Sequence, residues 1–362
     1  MKFLKDFQNP LLVRETARRL EGLASAPAII MEVCGTHTMS VARFGLKSLL
    51  PPTVRLVSGP GCPVCVTAQE DIDAFLALGR FPGVILASFG DMMRVPGSEA
   101  SLESCRAEGA DVRVVYAPLE AVDLARQTPH KDVVFWGVGF ETTMPATALA
   151  IQAAARSGVL NFSVFCHHKT MPPALRALLA GGELKVSGLL LPGHVSTIIG
   201  VDVFRFIPEQ FHVPCAVTGF EPLDILLGIE SVLRQRQEGK ALVDNAYGRA
   251  VKTPANPRAQ SLLKEVFEPQ DAVWRGLGKI PGSGVKIREK YAPFDASNRF
   301  REIIAAVPPA RTRACRCGEV LRGVLAPSDC PLFRAGCDPS QPQGPCMVSR
   351  EGACAAAFRF EP

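Results

Sequence analysis

Cys34-Gly35-Thr36-His37 sets a thiol and an imidazole three residues apart around a glycine. A soft thiolate and an imidazole sharing one small volume suit a transition metal, with iron, copper or zinc as the natural ions. The same two groups could instead form a Cys/His nucleophile pair for acyl transfer, or stand as a buried cysteine beside a surface histidine. Further along, Gly59-Pro60-Gly61 leads directly into Cys62-Pro63-Val64-Cys65. Cys-X-X-Cys spacing lets one thiol attack a disulfide while the other resolves the mixed species. A helix is expected just after it, with Thr67 and Glu70 as a capping box, and a helix N-terminus favours thiolate. The competing reading combines Cys34, His37, Cys62 and Cys65 as a Cys₃His zinc site.

Six of the twelve cysteines lie in the last 48 residues, spaced Cys315-x-Cys317-x12-Cys330-x6-Cys337-x8-Cys346-x7-Cys354. Zinc ribbons use paired Cys-x2-4-Cys knuckles, and these long irregular gaps fit an iron–sulfur cluster better than zinc or disulfides. A cluster takes four thiolates, which leaves two of the six spare. Glu141, Thr142 and Thr143 follow an apolar run and place a carboxylate and two hydroxyls where they can hold a ligand or position a proton. The plainer alternative is a threonine helix cap with the glutamate in water. His194 and Asp91 occupy similar positions after apolar runs. Cys105, Cys166 and Cys215 read as packing residues. His167 and His168, adjacent on a strand, must point to opposite faces and make a poor metal pair. No P-loop occurs, and Gly137-x-Gly139 lacks the third glycine of a dinucleotide fingerprint.

These groups need a frame. Apolar runs over 27–38, 53–65, 83–93, 132–143, 188–196 and 214–222 each end in a Gly or Pro turn and pass into helix-like sequence. Continuous rather than alternating apolarity marks strands buried on both faces, as in parallel α/β sheets, whose ligands bind at the carboxyl ends of the strands. The expected fold is two similar parallel-sheet α/β domains followed by a Cys-rich domain. Composition breaks suggest blocks at 1–127, 128–229 and 230–362, the last helical at first and Cys-, Gly- and Pro-rich from Arg311. Gly-Phe-Glu at 139–141 and again at 219–221 hints that the α/β blocks are copies.

Forty Lys and Arg against 35 Asp and Glu, without a basic run, give no footprint for nucleic acid. Lys5, Asp6 and Pro10 interrupt the apolar stretch a signal peptide needs, and no run of eighteen apolar residues occurs. A cytoplasmic protein that binds no membrane is expected, with cysteines serving as metal ligands or redox thiols rather than structural disulfides.

Cys34-Gly-Thr-His-Thr, Gly59-Pro-Gly-Cys-Pro-Val-Cys65, Gly139-Phe-Glu-Thr-Thr143 and the tail CRCGEVLRG…CPLF…C…MVSREGAC together resemble the HypD family of hydrogenase maturation factors, over about Met31 to Phe360. The resemblance implies a scaffold for building the Fe(CN)₂CO unit of [NiFe] hydrogenases, working with a small HypC-type partner and a HypE-type cyanide donor. The hydrogenase large subunit would be met only indirectly. It implies two α/β domains and a third domain with a [4Fe–4S] cluster. It also implies that Cys34 binds the iron being decorated with His37 nearby, that Cys62 and Cys65 are redox-active, and that Glu141, Thr142 and Thr143 line the cleft between the α/β domains. Cluster ligands by the same resemblance are Cys315, Cys330, Cys337 and Cys354, with Cys317 as the alternative to Cys315 and Cys346 left out. Such a protein is a redox-active assembly scaffold more than a turnover enzyme. The reading from another class is an iron–sulfur thiol-disulfide oxidoreductase acting on protein substrates, which needs no third thiol site at Cys34.

Overall fold

The computed structural model describes residues 6–310 and 314–361. The composition break at Arg311 lies outside the described residues. Two parallel sheets form the frame. Sheet 1 has the order β2-β1-β7-β8-β9 and sheet 2 the order β4-β3-β5-β6. The strands are β1 Ala28–Glu32, β2 Val54–Ser58, β3 Val84–Ser88, β4 Asp111–Val114, β5 Asp132–Gly139, β6 Phe162–His168, β7 Gly188–Pro192, β8 Cys215–Thr218 and β9 Val243–Asn245. All pairings within the two sheets are parallel. A separate antiparallel hairpin joins β10 Phe267–Trp274 to β11 Gly278–Ile287.

The expected α/β architecture is present, and each of the six apolar runs contains a strand. Strand membership, however, crosses the blocks drawn from composition. Sheet 1 takes β1 and β2 from the first block and β7 and β8 from the second, then β9 from the third. Sheet 2 takes β3 and β4 from the first block and β5 and β6 from the second, so the break near 127–131 falls inside one sheet. The 230–310 stretch, expected to be helical, contains β9 and the whole hairpin. Its β10 strand, Phe-Glu-Pro-Gln-Asp-Ala-Val-Trp, buries only its end residues completely, so its apolar signal is faint.

Continuous apolarity in the sheet strands has the anticipated cause. Ile30 and Leu190 face a cluster with Leu20, Ala216 and Ile229, beneath the helices Pro10–Leu23 and Pro222–Gln237. Their neighbours Met31, Leu189 and Leu191 face the opposite way, into a central cluster shared with Phe75, Trp136 and Phe165 of the second sheet's side and with Val320, Leu321 and Met347 of the Cys-rich tail. Each fully buried side chain of this size contributes roughly 1.5–3 kcal/mol. A single apolar core thus holds both sheets and the tail together. No helix among the described residues is long and apolar enough to cross a membrane.

Candidate functional site

Cys34 lies just beyond the carboxyl end of β1 and is the N-cap residue of the helix Gly35–Arg43. The Gly59–Gly61 turn after β2 folds directly onto it. Gly35 N–H donates to Gly61 C=O at 2.9 Å, and a Cβ on Gly61 would fall 2.2 Å from Cys34 N. Only glycine lets the two backbones approach this closely. Gly61→Ala is therefore expected to destabilise the chain by about 2 kcal/mol or more, measured by denaturant unfolding, because the Cys34 turn must retreat to admit a methyl group.

A third segment closes over the same turn. Thr36 Oγ1 donates to Glu351 Oε1 at 2.6 Å, and Glu351 packs so tightly on Gly35 that a Cβ there would stand 2.5 Å from its own Cβ. Glu351 belongs to Ser349-Arg-Glu-Gly-Ala-Cys354, so the Cys-rich tail reaches the CGTH turn directly. Beneath it, Glu32 Oε2 accepts from Cys34 N–H at 3.3 Å and Glu32 Oε1 from Thr38 Oγ1 at 2.5 Å. Burial pushes the Glu32 carboxyl up to about 8. Burial, with the Glu351 and Glu32 carboxyls, pushes the Cys34 thiol up to about 12. As a free thiol Cys34 keeps its proton at neutral pH, and a bound cation is what would displace it.

His37 is fully buried and pushed down to about 4 by desolvation, so it is neutral. Its Nε2 lies 2.9 Å from Gly219 C=O and 2.8 Å from Thr218 Oγ1 at the end of β8. A carbonyl only accepts, which places the ring proton on Nε2 and leaves the Nδ1 lone pair bare; Nδ1 has no partner. Phe220, beside the imidazole at 4.9 Å, also stacks on His194 at 3.8 Å. The second Gly-Phe-Glu thus serves His37, a function that sequence reasoning did not assign to it.

Cys62 and Cys65 are joined as a disulfide, both buried, with Cys65 N–H donating to Cys62 Sγ at 3.1 Å. The expected capping box does not form. Thr67 Oγ1 donates to Pro63 C=O instead, and the helix Gln69–Leu78 starts at Ala68 without a side-chain cap. The dithiol therefore occupies a tight turn of its own, and the helix terminus lies several residues beyond it. The Cys₃His zinc alternative is not assembled. Two of its thiols are bonded to each other, and among the described residues no three His, Cys, Asp or Glu side chains are grouped as a single-ion site.

Glu141 lies two residues beyond the end of β5 and is buried, with Oε1 accepting from Met171 N–H at 2.9 Å and Oε2 without a partner. Desolvation pushes it up to about 7. Thr143 Oγ1 donates to Phe140 C=O and lies 3.5 Å from His168 Nδ1, while Thr142 is exposed. Thr143 takes the N-cap position of the helix Met144–Ser157 without capping it through its side chain. Apart from Phe140, the partners of this group are His168 at the end of β6 and Met171 at the start of the helix Met171–Gly181. His167 and His168 do face opposite ways, His167 toward Asp71 and His168 toward Thr147.

The six C-terminal thiols form one neighbourhood. Cys317 interacts with both Cys315 and Cys346, and donation from those thiols and from the Arg275 guanidinium holds it well below the usual thiol range. Cys346 interacts with Cys354 as well, and Cys337 feels both Cys354 and Cys330. Gly344 leaves room for the group, since a Cβ there would stand 2.5 Å from Cys315 Sγ. None of these six cysteines takes part in a disulfide. Of the proposed ligands, Cys315 and Cys337 each feel Cys354, and Cys337 also feels Cys330, while Cys317 and Cys346 hydrogen-bond to each other; among the described residues no three of these thiols are drawn together as a metal site. Soft thiols converging from several loops fit an iron–sulfur cluster.

The hairpin, which the sequence reading passed over, joins the tail to the dithiol loop. Arg275 N–H donates to Val66 C=O, its Nε to Thr67 C=O and its Nη2 to Gln69 Oε1. Gly276 touches Gly318, next to Cys317, with no space for a Cβ on either residue.

A protein-family model described as "HypD: Hydrogenase formation hypA family" matches residues 11–361. The chain is 45% identical over 369 residues to the hydrogenase maturation factor HypD of Azotobacter vinelandii, covering 99% of this chain and 97% of that protein. It is similarly 45% identical over 370 residues to HypD of Rhodobacter capsulatus, covering 99% and 98%. To HypD of Escherichia coli K12 it is 44% identical over 373 residues, again covering 99% and 98%.

Proposed function

Because the chain belongs to the HypD family of hydrogenase maturation factors, we propose that it is the scaffold on which iron is held at Cys34 while the Fe(CN)₂CO unit is assembled. The observation that carries this reading is the convergence on Cys34 of three distant segments: the CGTH turn, the Gly59–Cys65 loop and the Glu351 segment of the thiol-rich tail. A thiolate donates electron density to low-valent iron, which strong-field ligands require. The neutral His37, with its bare Nδ1, offers a second donor three residues away. Burial raises the Glu32 and Glu351 carboxyls, and a bound cation would draw both toward the anionic form, so they favour a bound cation over a bare thiolate. Glu141, Thr142 and Thr143 would contribute polar groups at the rim of sheet 2.

In this reading a HypC-type partner shares the iron and a HypE-type protein delivers cyanide. A [4Fe–4S] cluster held by Cys315, Cys330, Cys337 and Cys354, with Cys317 as the alternative to Cys315, would supply single-electron transfers. Cys62 and Cys65 would supply electrons in pairs. An oxidoreductase acting on protein disulfides is the weaker reading, because Cys62 and Cys65 are 3% and 0% exposed and a bulky disulfide has no approach to them.

Anaerobic purification of the chain with its HypC-type partner tests the proposal. The complex is expected to contain iron beyond that of the cluster and infrared bands of bound CN and CO, groups that no amino acid supplies. A complex competent in hydrogenase maturation yet lacking both would overturn it.

A further inference from the structure

Charged side chains that the assembly reading leaves unused meet between the helix that follows the dithiol loop and the end of β6. Asp71, in the first turn of the Gln69–Leu78 helix, accepts from His167 Nε2 at 3.1 Å and faces Lys169 Nζ at 3.7 Å. Lys169 is 2% exposed, a rare state for an ammonium group. Strand alternation puts Phe165, His167 and Lys169 on one face at the end of β6, beside Trp136 and Val138 of β5. Phe75, on the same helix as Asp71, stacks on Trp136 at 4.4 Å and so lays that helix over this face. Lys169 Nζ stands 5.9 Å from the ring centre of Trp274, and Trp274 pairs with Thr67, two residues beyond Cys65. Cys62, Cys65, Trp136, Phe165 and Trp274 belong to one apolar cluster. His167 Nδ1 and Trp136 Nε1, both buried on this face, have no partner.

We propose that Lys169, anchored by Asp71 and His167, is the proton reservoir of the Cys62–Cys65 couple. The inference rests on the reading that these two cysteines cycle between disulfide and dithiol. A buried redox pair needs such a source, since opening the disulfide must deliver a proton to Cys65, which is wholly enclosed. A small external dithiol, as thiolate, reaches the pair from the side of Cys62, the residue of the two that keeps any exposure, and attacks its sulfur. The Cys62–Cys65 bond breaks, a mixed disulfide forms, and Cys65 leaves as a thiolate. Lys169 gives Cys65 its proton. The second thiolate of the reductant then closes on its own sulfur and releases Cys62, whose anion is supported by Cys65 N–H. The reductant ends as a disulfide, and its two thiol protons are balanced by those gained at Cys62 and Cys65. Lys169 recovers its proton through Asp71 and His167, whose side chains are 19% and 20% exposed and touch solvent.

Electrostatics agree with these roles. Burial weakens the hold of Lys169 on its proton, while Asp71, despite its own burial, is kept an anion by His167 and Lys169. Cys166 and His168 also act on Lys169, and Asp295, at the start of the helix Ala296–Arg299, faces His167.

The test is stopped-flow reduction of the oxidised full chain by dithiothreitol between pH 6 and 9, with alkylation and mass spectrometry at Cys62 and Cys65. Lys169→Arg keeps the charge and the Asp71 partner but cannot release a proton in this range. It is expected to slow reduction about tenfold or more and to remove an inflection from the pH profile. Asp71→Asn, which removes the anion holding the ammonium, is expected to move that inflection to lower pH. Wild-type rate and profile in a folded Lys169→Arg variant overturn the proposal, and if that variant does not fold, an unmoved inflection in Asp71→Asn does so. A wild-type pair that dithiothreitol never reduces overturns the redox reading itself, and the inference with it.

Discussion

Cys34→Ala is expected to strip the infrared bands of CN and CO from the complex with the HypC-type partner while the C-terminal cluster keeps its full iron content. The two sites draw on separate cysteines, so one is removable without the other. A conservative replacement is not expected to rescue the bands, because a serine hydroxyl is a harder and weaker ligand for low-valent iron than a thiolate. His37→Ala is expected to have a graded effect. It removes the bare Nδ1 but also the bonds to Gly219 and Thr218 that tie the CGTH helix to β8. Undiminished bands in the Cys34→Ala complex would mean that the iron unit sits on other residues or on the partner alone.

The second large effect is expected at the tail. The anaerobic chain is expected to be brown, with roughly four iron and four sulfide per molecule. Replacing Cys330, Cys337 or Cys354 by Ala is expected to abolish the colour, whereas Cys105→Ala, on the helix Leu102–Ala107 and outside the group of tail thiols, is expected to leave it unchanged. Separate Ser variants of Cys315 and Cys317 then identify the fourth ligand, because only the true ligand's loss destabilises the cluster. Stoichiometric zinc in a colourless anaerobic preparation would refute the cluster.

Much of this was legible in the residues. The strands before CGTH and GFETT announced themselves through apolar runs, since both sheet faces are covered there, whereas β2 before CPVC is an edge strand and carries the exposed Arg55. Chain routing was not legible, because periodicity reports how a strand is buried and not which strand lies beside it. Nothing in Ala28–Glu32 distinguishes Gly188–Pro192 from Val84–Ser88 as a neighbour. The hairpin escaped notice for a different reason. Pro269 and Pro281 lie within its strands, and Glu268, Gln270 and Asp271 make the middle of β10 polar, so it carries little β signal while making the contacts that join tail to dithiol. The capping box at Thr67 and Glu70 matched a sound pattern, but Pro63 offered the threonine a nearer acceptor. Glu351 lay within a motif already noted, yet only the fold reveals that it reaches Thr36.

The way the chain leaves sheet 1 after β2 and returns at β7 has a consequence for its synthesis. Sheet 2 is built from one contiguous stretch and can form as soon as β6 has left the ribosome. β1 must wait for β7, about 130 residues behind β2, which at typical synthesis rates is roughly 7 to 26 s. During that interval Cys34, Cys62 and Cys65 belong to a nascent chain whose core is open, and their thiols meet solvent before the fold encloses them. A chaperone that covers the first 80 residues during translation would guard the assembly site against premature metals and oxidants.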